Sequence, residues 1–471
     1  MERVIIAVTQ VDATALRKLR LAGLPWREVP LHPGHFMPKP STTSKRDPKQ
    51  PLRIAFLIYR GNPHCGGQGV YSRHLTRELT ELGHAVTMFA GQPWPVADDP
   101  VVLEKVPGLD LYQRENPFRV PWLHEFRTPE DVREFSIMAG GGFPEPSAFS
   151  YRVYKQLRHR RADFDLVHDN QCLGRGLLGF VRDGWPFINT LHHPITVDRD
   201  LDLSHATTPW RKLTLRRWYG FLGMQMKVAR QLPRHLTVSE NSKTDIVAQM
   251  GVSAEALHIV PVGVDQQQFR PLPHIERVPG RLMTTASADV PLKGLTYLID
   301  ALAKVRTERE DAHLVVIGRP RHKSAVPRQI ERLGLQNAVE FVSGVSDERI
   351  VELYAEAEIA VVPSLYEGFS LPAVEAMACG VPLVTTTGGA LPEVVGRSGD
   401  AAMTVPTADP GALAQQIVEV LDNAELRGRL GEGGRGRVLD RFTWRRTAEG
   451  TAEHYYLELE AHASRRSHAD G

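Results

Sequence analysis

Short apolar runs, each followed by a stretch of helical period, recur in two series along residues 52–406. The first holds 54–59 (IAFLIY), 85–90 (AVTMFA), 165–169 (DLVHD), 187–192 (FINTLH), 235–239 (HLTVS) and 258–263 (HIVPVG). The second holds 281–287, 313–318, 338–344, 359–364, 381–386 and 402–406. Runs of strand length without polar alternation are the mark of strands buried on both faces. Parallel strands require crossovers, and the intervening amphipathic stretches supply them. The spacing therefore predicts two doubly wound α/β domains, hinged near residues 268–280, where the Pro-rich stretch Phe269-Arg270-Pro271-Leu272-Pro273 lies between the two series.

Residues 1–50 stand outside this rhythm. A strand is expected at 4–8 and a helix at 12–22, and 38–51 (PKPSTTSKRDPKQP) reads as a linker. The expected domains are a 1–50 appendage and linker, 51–270, 271–445, and a C-terminal helix within 446–471 that packs back on the first domain. Asp409 with Pro410 marks a helix start, giving a helix over 409–423, and another is expected over 444–461. The segment 107–164, with Tyr112, Phe118, Pro121, Trp122 and Phe126, reads as an irregular functional insert.

Composition narrows the class. The 471 residues carry 57 basic and 55 acidic side chains, a net charge of +2, which disfavours a nucleic-acid-gripping surface. Three scattered cysteines (Cys65, Cys172, Cys379) fit neither a disulfide framework nor a cysteine zinc site. No apolar run reaches the ~20 residues that cross a bilayer. The expected location is cytoplasmic. The basic helical stretch from Arg211 to Arg230 admits peripheral contact with an anionic membrane, at the inner face.

Two constellations carry chemistry. Pro63-His64-Cys65-Gly66-Gly67-Gln68-Gly69 follows an expected strand and opens a helix, a turn whose N–H groups suit a phosphate. The stretch from Tyr366 to Pro382 holds Glu367 in a loop and Pro372 at a helix start, with Glu375 expected in its first turn. Free N–H groups near Ser370 and Leu371 suit an anion, and both carboxylates suit sugar hydroxyls. Asp163-Phe164-Asp165 has the look of a metal-holding D-x-D but opens straight into a strand, so it reads as a strand-start turn; no metal is expected.

Glu367-x7-Glu375 resembles the E-x7-E signature of retaining, nucleotide-sugar-dependent glycosyltransferases of family 4, whose GT-B fold is two facing Rossmann-like domains. Gly66-Gly67-x-x-x-Tyr71, Pro261-Val262-Gly263-Val264-Asp265 and Gly388-Gly389 with Pro392-Glu393 fit the same pattern in order, so the resemblance spans about 52–460. It implies transfer of a sugar from a nucleotide-diphosphate donor, UDP- or GDP-linked, to a carbohydrate, lipid-linked or small-molecule hydroxyl, with retention and without cofactor. Glu375 would hold the ribose, Glu367 the donor sugar, and Gly66, Gly67 and amides at Phe369, Ser370 and Leu371 the diphosphate. Lys293 of the Lys293-Gly294 pair would neutralise the leaving group. His192 of Thr190-Leu191-His192 would sit at the donor sugar, with His193 as the alternative. The Arg that the family usually places before the Lys is missing: Ser287 and Ala288 stand there, and Arg319 or Lys323 are candidate substitutes. A sugar-nucleotide epimerase and a non-catalytic nucleotide-sugar-binding protein are the rival readings.

Overall fold

The computed structural model describes residues 50–469 apart from 62–66, 114, 115, 117, 286–289 and 320–324. The strand and helix expected before residue 50, and Gly66, Ser287, Ala288 and Lys323, lie outside the described residues.

Two parallel sheets form. The first contains β1 (Arg53–Ile58), β2 (Ala85–Ala90), β3 (Val102–Lys105), β4 (Leu166–Asn170), β5 (Phe187–Thr190), β6 (His235–Thr237) and β7 (Leu257–Ile259). Their order is β3-β2-β1-β4-β5-β6-β7. The second contains β8 (Arg281–Thr285), β9 (His313–Ile317), β10 (Val339–Val342), β11 (Ile359–Val362), β12 (Leu383–Thr386) and β13 (Met403–Val405). Their order is β10-β9-β8-β11-β12-β13. β1, β4, β8 and β11 are almost wholly buried, as runs packed between helices on both faces must be. In each sheet the strand order reverses once, between β1 and β4 and between β8 and β11. Ligands bind at such switch points, beyond the carboxyl ends of the strands.

The segment 107–164 departs from the sequence expectation. It folds into helices Pro129–Ala139 and Glu145–Leu157, the first capped by Thr128, whose hydroxyl accepts from the Asp131 N–H. Asp131 answers with bonds from the N–H groups of Arg127 and Thr128, a capping box visible in Thr128-Pro129-Glu130-Asp131. Another helix, Ala424–Arg441, adds to the two expected after residue 409.

The chain crosses between the domains twice, side by side. Val264 bridges to Thr443 and its N–H bonds Phe442 O at 2.9 Å. A Cβ on Gly263 would lie 2.3 Å from the Trp444 nitrogen, so only glycine allows the two crossings to touch. Beyond the second crossing, helix Trp444–Ala469 lies against helix Gly67–Glu81 of the first domain. Its Tyr455 hydroxyl reaches His168 Nδ1 on β4 at 2.6 Å, and both side chains are fully buried.

Candidate active site

Both switch points face one cleft. Lys293 follows β8 in a single tight turn that ends on Gly294, and Glu367 follows β11 in the loop before helix Leu371–Ala378. The two meet: Lys293 Nζ lies 2.7 and 3.0 Å from the carboxylate oxygens of Glu367. Ser364 Oγ donates a further bond to Glu367 at 2.7 Å. Glu367 is buried (7% exposed), so this pairing is what lets its charge persist. From behind, Ala390 N donates to Glu367 O at 2.8 Å. Gly389 has φ +62, and a Cβ there would come within 2.3 Å of that same oxygen.

The start of helix Leu371–Ala378 is an anion site in form. No side chain caps it, and Ser370 holds φ 98, a left-handed conformation costly for any residue but glycine. The Ser370 hydroxyl is buried with no partner, and the first-turn N–H groups are free of any cap. Phe369 supports the turn from below, edge-on to Phe442 at 5.6 Å. Glu375, expected in the first turn, lies just past it, at the fifth residue of the helix. Burial pushes its carboxyl up to about 7, and the Tyr354 hydroxyl, 3.3 Å away, offsets part of that.

Across the cleft, the two adjacent histidines differ in kind. His192 Nε2 lies 2.8 Å from Asn170 Oδ1, and its ring stands edge-on to Tyr71 at 4.5 Å. Burial, helped by His193, lowers its pKa to about 3, so the ring is neutral. With the Asn170 oxygen accepting from Nε2, Nδ1 keeps its lone pair. For His193 burial opposes the charge, but Asp198 at 3.1 Å outweighs it and raises the pKa. Gln171, at φ 53, brackets the pair: its oxygen accepts from the His192 N–H at 2.9 Å and its amide donates to His193 O at 3.0 Å. A Cβ on Gly368 would lie 3.5 Å from His193 Cβ and 3.9 Å from His192 O. His193 thus faces the Glu367 loop with its side chain, and Lys293 and Glu367 both act on its charge, while His192 approaches the loop by its backbone.

The structure brings Lys293, Glu367, Phe369, Ser370, Leu371 and Glu375 together beyond β8 and β11, and His192 lies beyond β5 with its backbone near Gly368. Gly67 opens helix Gly67–Glu81 on the first-domain side. Arg319 is exposed beyond β9, and its Nε bonds Ser343 Oγ at 3.1 Å, on the β10 side. Asp163 and Asp165 are engaged by Arg160 and Arg53. Among the described residues no cluster of three or more histidine, cysteine or carboxylate groups is placed to hold a metal. Sequence reasoning missed Asn170, Gln171, Asp198 and Tyr354. A left-handed non-glycine residue such as Gln171 leaves no sequence signal at all.

Comparison with known proteins agrees on the family. A family model described as Glycosyltransferase Family 4 matches residues 65–268, and one described as Glycosyl transferases group 1 matches 275–437. An MMP alpha-(1->4)-mannosyltransferase of Mycolicibacterium hassiacum is 49% identical over 405 residues, covering 86% of this chain and 98% of the relative. A D-inositol 3-phosphate glycosyltransferase of Geodermatophilus obscurus is 27% identical, over 89% of this chain and 93% of its own. Among solved structures, sucrose-phosphate synthase from Thermosynechococcus elongatus superposes with a TM-score of 0.64 at 20% identity, over 87% of this chain and all of the other. Anabaena HepE in complex with UDP-glucose superposes with a TM-score of 0.61 at 18% identity, over 85% of this chain and 98% of the other. These two likenesses speak for the fold, and the mannosyltransferase for the family. The chain is a glycosyltransferase and belongs to family 4, the glycosyl transferases of group 1.

Proposed function

We propose that this enzyme transfers a mannosyl residue from a nucleotide-diphosphate donor, UDP- or GDP-linked, to a carbohydrate hydroxyl with retention, forming an α-(1→4) linkage. The observation that carries the reading is the Lys293–Glu367 pair set beside the uncapped start of helix Leu371–Ala378, opposite a neutral His192. The 49% identical mannosyltransferase supports the choice of sugar and linkage.

Each residue then has a task. Glu375, steadied by Tyr354, accepts from the ribose hydroxyls. The amides at Phe369, Ser370 and Leu371 bind the diphosphate, and Lys293 stabilises the charge that gathers on it as the glycosidic bond breaks. Glu367 and the Nδ1 lone pair of His192 accept from hydroxyls of the donor sugar and fix its pose. The acceptor enters from the first domain, on the side of residues 107–145. Its oxygen bonds the anomeric carbon on the face that the phosphate oxygen leaves, and its proton passes to that departing oxygen. No residue serves as a covalent nucleophile, and no bound cofactor or metal takes part in this scheme.

A panel of UDP-, GDP- and ADP-sugars, each with and without a mannoside acceptor, tests the reading. The expected result is acceptor-dependent release of nucleoside diphosphate, greatest with a mannose donor, and an α-(1→4) product by NMR. An isomerised nucleotide sugar marks an epimerase, and binding without turnover marks a non-catalytic protein; either overturns the proposal. Helix Pro209–Trp218 favours a second activity of the same enzyme, docking on an anionic membrane. It exposes Trp210 (74%) and Leu213 (41%) beside Lys212, Arg216 and Arg217. Sedimentation with anionic vesicles, lost in Trp210→Ala, checks it.

A further inference from the structure

Glu367 is the donor-side carboxylate of the site proposed above, yet both of its chain neighbours are held from the opposite domain. Gly368 O accepts from Ser239 Oγ at 2.7 Å and from Ser242 Oγ at 3.1 Å. The Tyr366 hydroxyl donates to Asp245 Oδ2 and accepts from Asn241 Nδ2 at 3.3 Å. All four partners lie on helix Glu240–Met250 or at its N-cap, Ser239, in the first domain. The same helix start receives a carboxylate in return: Glu393 accepts from the N–H groups of Glu240 and Asn241, each at 2.8 Å. Ser239 already satisfies the Ser242 N–H, so the helix is capped half by its own domain and half by the other.

We propose that helix Glu240–Met250 is a closure clamp: when the domains meet, Ser239, Ser242 and Asp245 seize residues 366 and 368, Glu393 caps the helix, and Glu367 is thereby fixed at the donor. These are positioning residues, none of which touches the reacting atoms. The physics favours this over incidental contact. Two N–H groups converging on one carboxylate at a helix start are charge-assisted and directional, and they join residues of the two domains. The second domain alone anchors residue 367 by its backbone and by Lys293 and Ser364. It leaves the Tyr366 hydroxyl and the Gly368 carbonyl to be satisfied by a partner that arrives with closure. The inference rests on the reading of Glu367 as a donor-site residue and adds what sets its geometry.

The test uses the full-length enzyme and its variants Asp245→Ala, Asp245→Asn and Glu393→Ala. UDP and GDP affinities by calorimetry report the second domain's nucleotide site, turnover with the active donor reports the clamp, and small-angle scattering reports closure. Asp245→Ala and Glu393→Ala should lower kcat on the order of 10- to 100-fold, as small misplacement of a reacting group does. The affinity for whichever nucleotide binds should stay within about twofold, because Glu375 and the helix start are untouched. Asp245→Asn, which keeps an acceptor oxygen for Tyr366, should recover kcat to within about threefold. With nucleotide bound, Glu393→Ala should scatter as a more open particle than the wild type. A kcat within twofold for both alanine variants, an Asn variant no better than Ala, or nucleotide affinity falling in step with kcat overturns the clamp. If the wild type turns over no donor, the functional reading fails, and scattering alone then decides the clamp.

Discussion

The ion pair between Lys293 and Glu367 gives the most direct test of how this site stores charge. At 2.7 Å and an effective dielectric of about 20, their attraction is ~6 kcal/mol before the cost of leaving water. Desolvation offsets most of that, since Glu367 has a side chain 9% exposed and Lys293 one 31% exposed. Lys293→Met removes the charge and keeps the length, stranding a buried carboxylate with one hydroxyl partner. Because Lys293 is itself part-exposed and screened, the cost is put at about 2 kcal/mol, below the range for fully buried pairs. For a domain of this size that is about 4–8 °C in Tm. Glu367→Gln strands only the part-exposed ammonium and should cost about 1 kcal/mol. The double variant should cost less than the sum of the two by about 1.5 kcal/mol. Urea unfolding of the four proteins measures the cycle, and turnover of the same proteins gives its catalytic side. Lys293→Met should lower kcat by roughly 100- to 1000-fold, the loss typical of removing a charge that stabilises a departing group. Stability effects that add within ~0.5 kcal/mol would refute the view that the two residues hold each other in place.

Three further outcomes follow from the geometry. Asn170→Ala releases the His192 ring and should reduce kcat on the order of 10-fold with donor KM nearly unchanged; unchanged kcat in steady-state assays rules out an orienting role. Gly389→Ala forces a left-handed alanine against Glu367 O and should destabilise by about 2 kcal/mol or more while impairing turnover; a Tm equal to wild type contradicts the close packing. The Glu375 carboxyl, raised to about 7, holds a proton in the native state that the unfolded chain gives up near 4.5. The stability this lends is complete below about 4.5 and is lost as pH rises through 7. The difference in unfolding free energy between wild type and Glu375→Gln should therefore decline from pH 4.5 to 7, and a flat profile would show that the carboxyl is not raised.

Strands announced themselves in the sequence because burial on both faces erases polar alternation, as in Ile54–Ile58 and Ile359–Val362. Helices Pro129–Ala139 and Glu145–Leu157 did not. Polar residues sit on their buried faces, Asp131 and Glu134 in the first and Ser147 and Ser150 in the second, and Thr128-Pro129-Glu130-Asp131 was the one local sign. Of the site, residues that follow a strand in a spaced motif were legible: His192, Lys293, Glu367 and Glu375. Those joined to them by tertiary approach were not. Ser239 bonds Gly368 across 129 positions and Tyr354 reaches Glu375 from another helix, and no local pattern encodes either meeting.

The return of helix Trp444–Ala469 to the first domain has a consequence for synthesis. Tyr455 completes the buried contacts of His168, and Tyr456 bonds the Gln50 carbonyl at 2.7 Å, so the earliest described segment is sealed by one of the last. A chain emerging from the ribosome holds every strand of the first sheet long before it holds that helix. The second domain, whose strands end at residue 405, is the one that can finish its core without waiting for the terminus. The domain made first is thus the domain completed last, and a nascent chain stalled shortly after residue 442 presents an open apolar face where Tyr455 belongs.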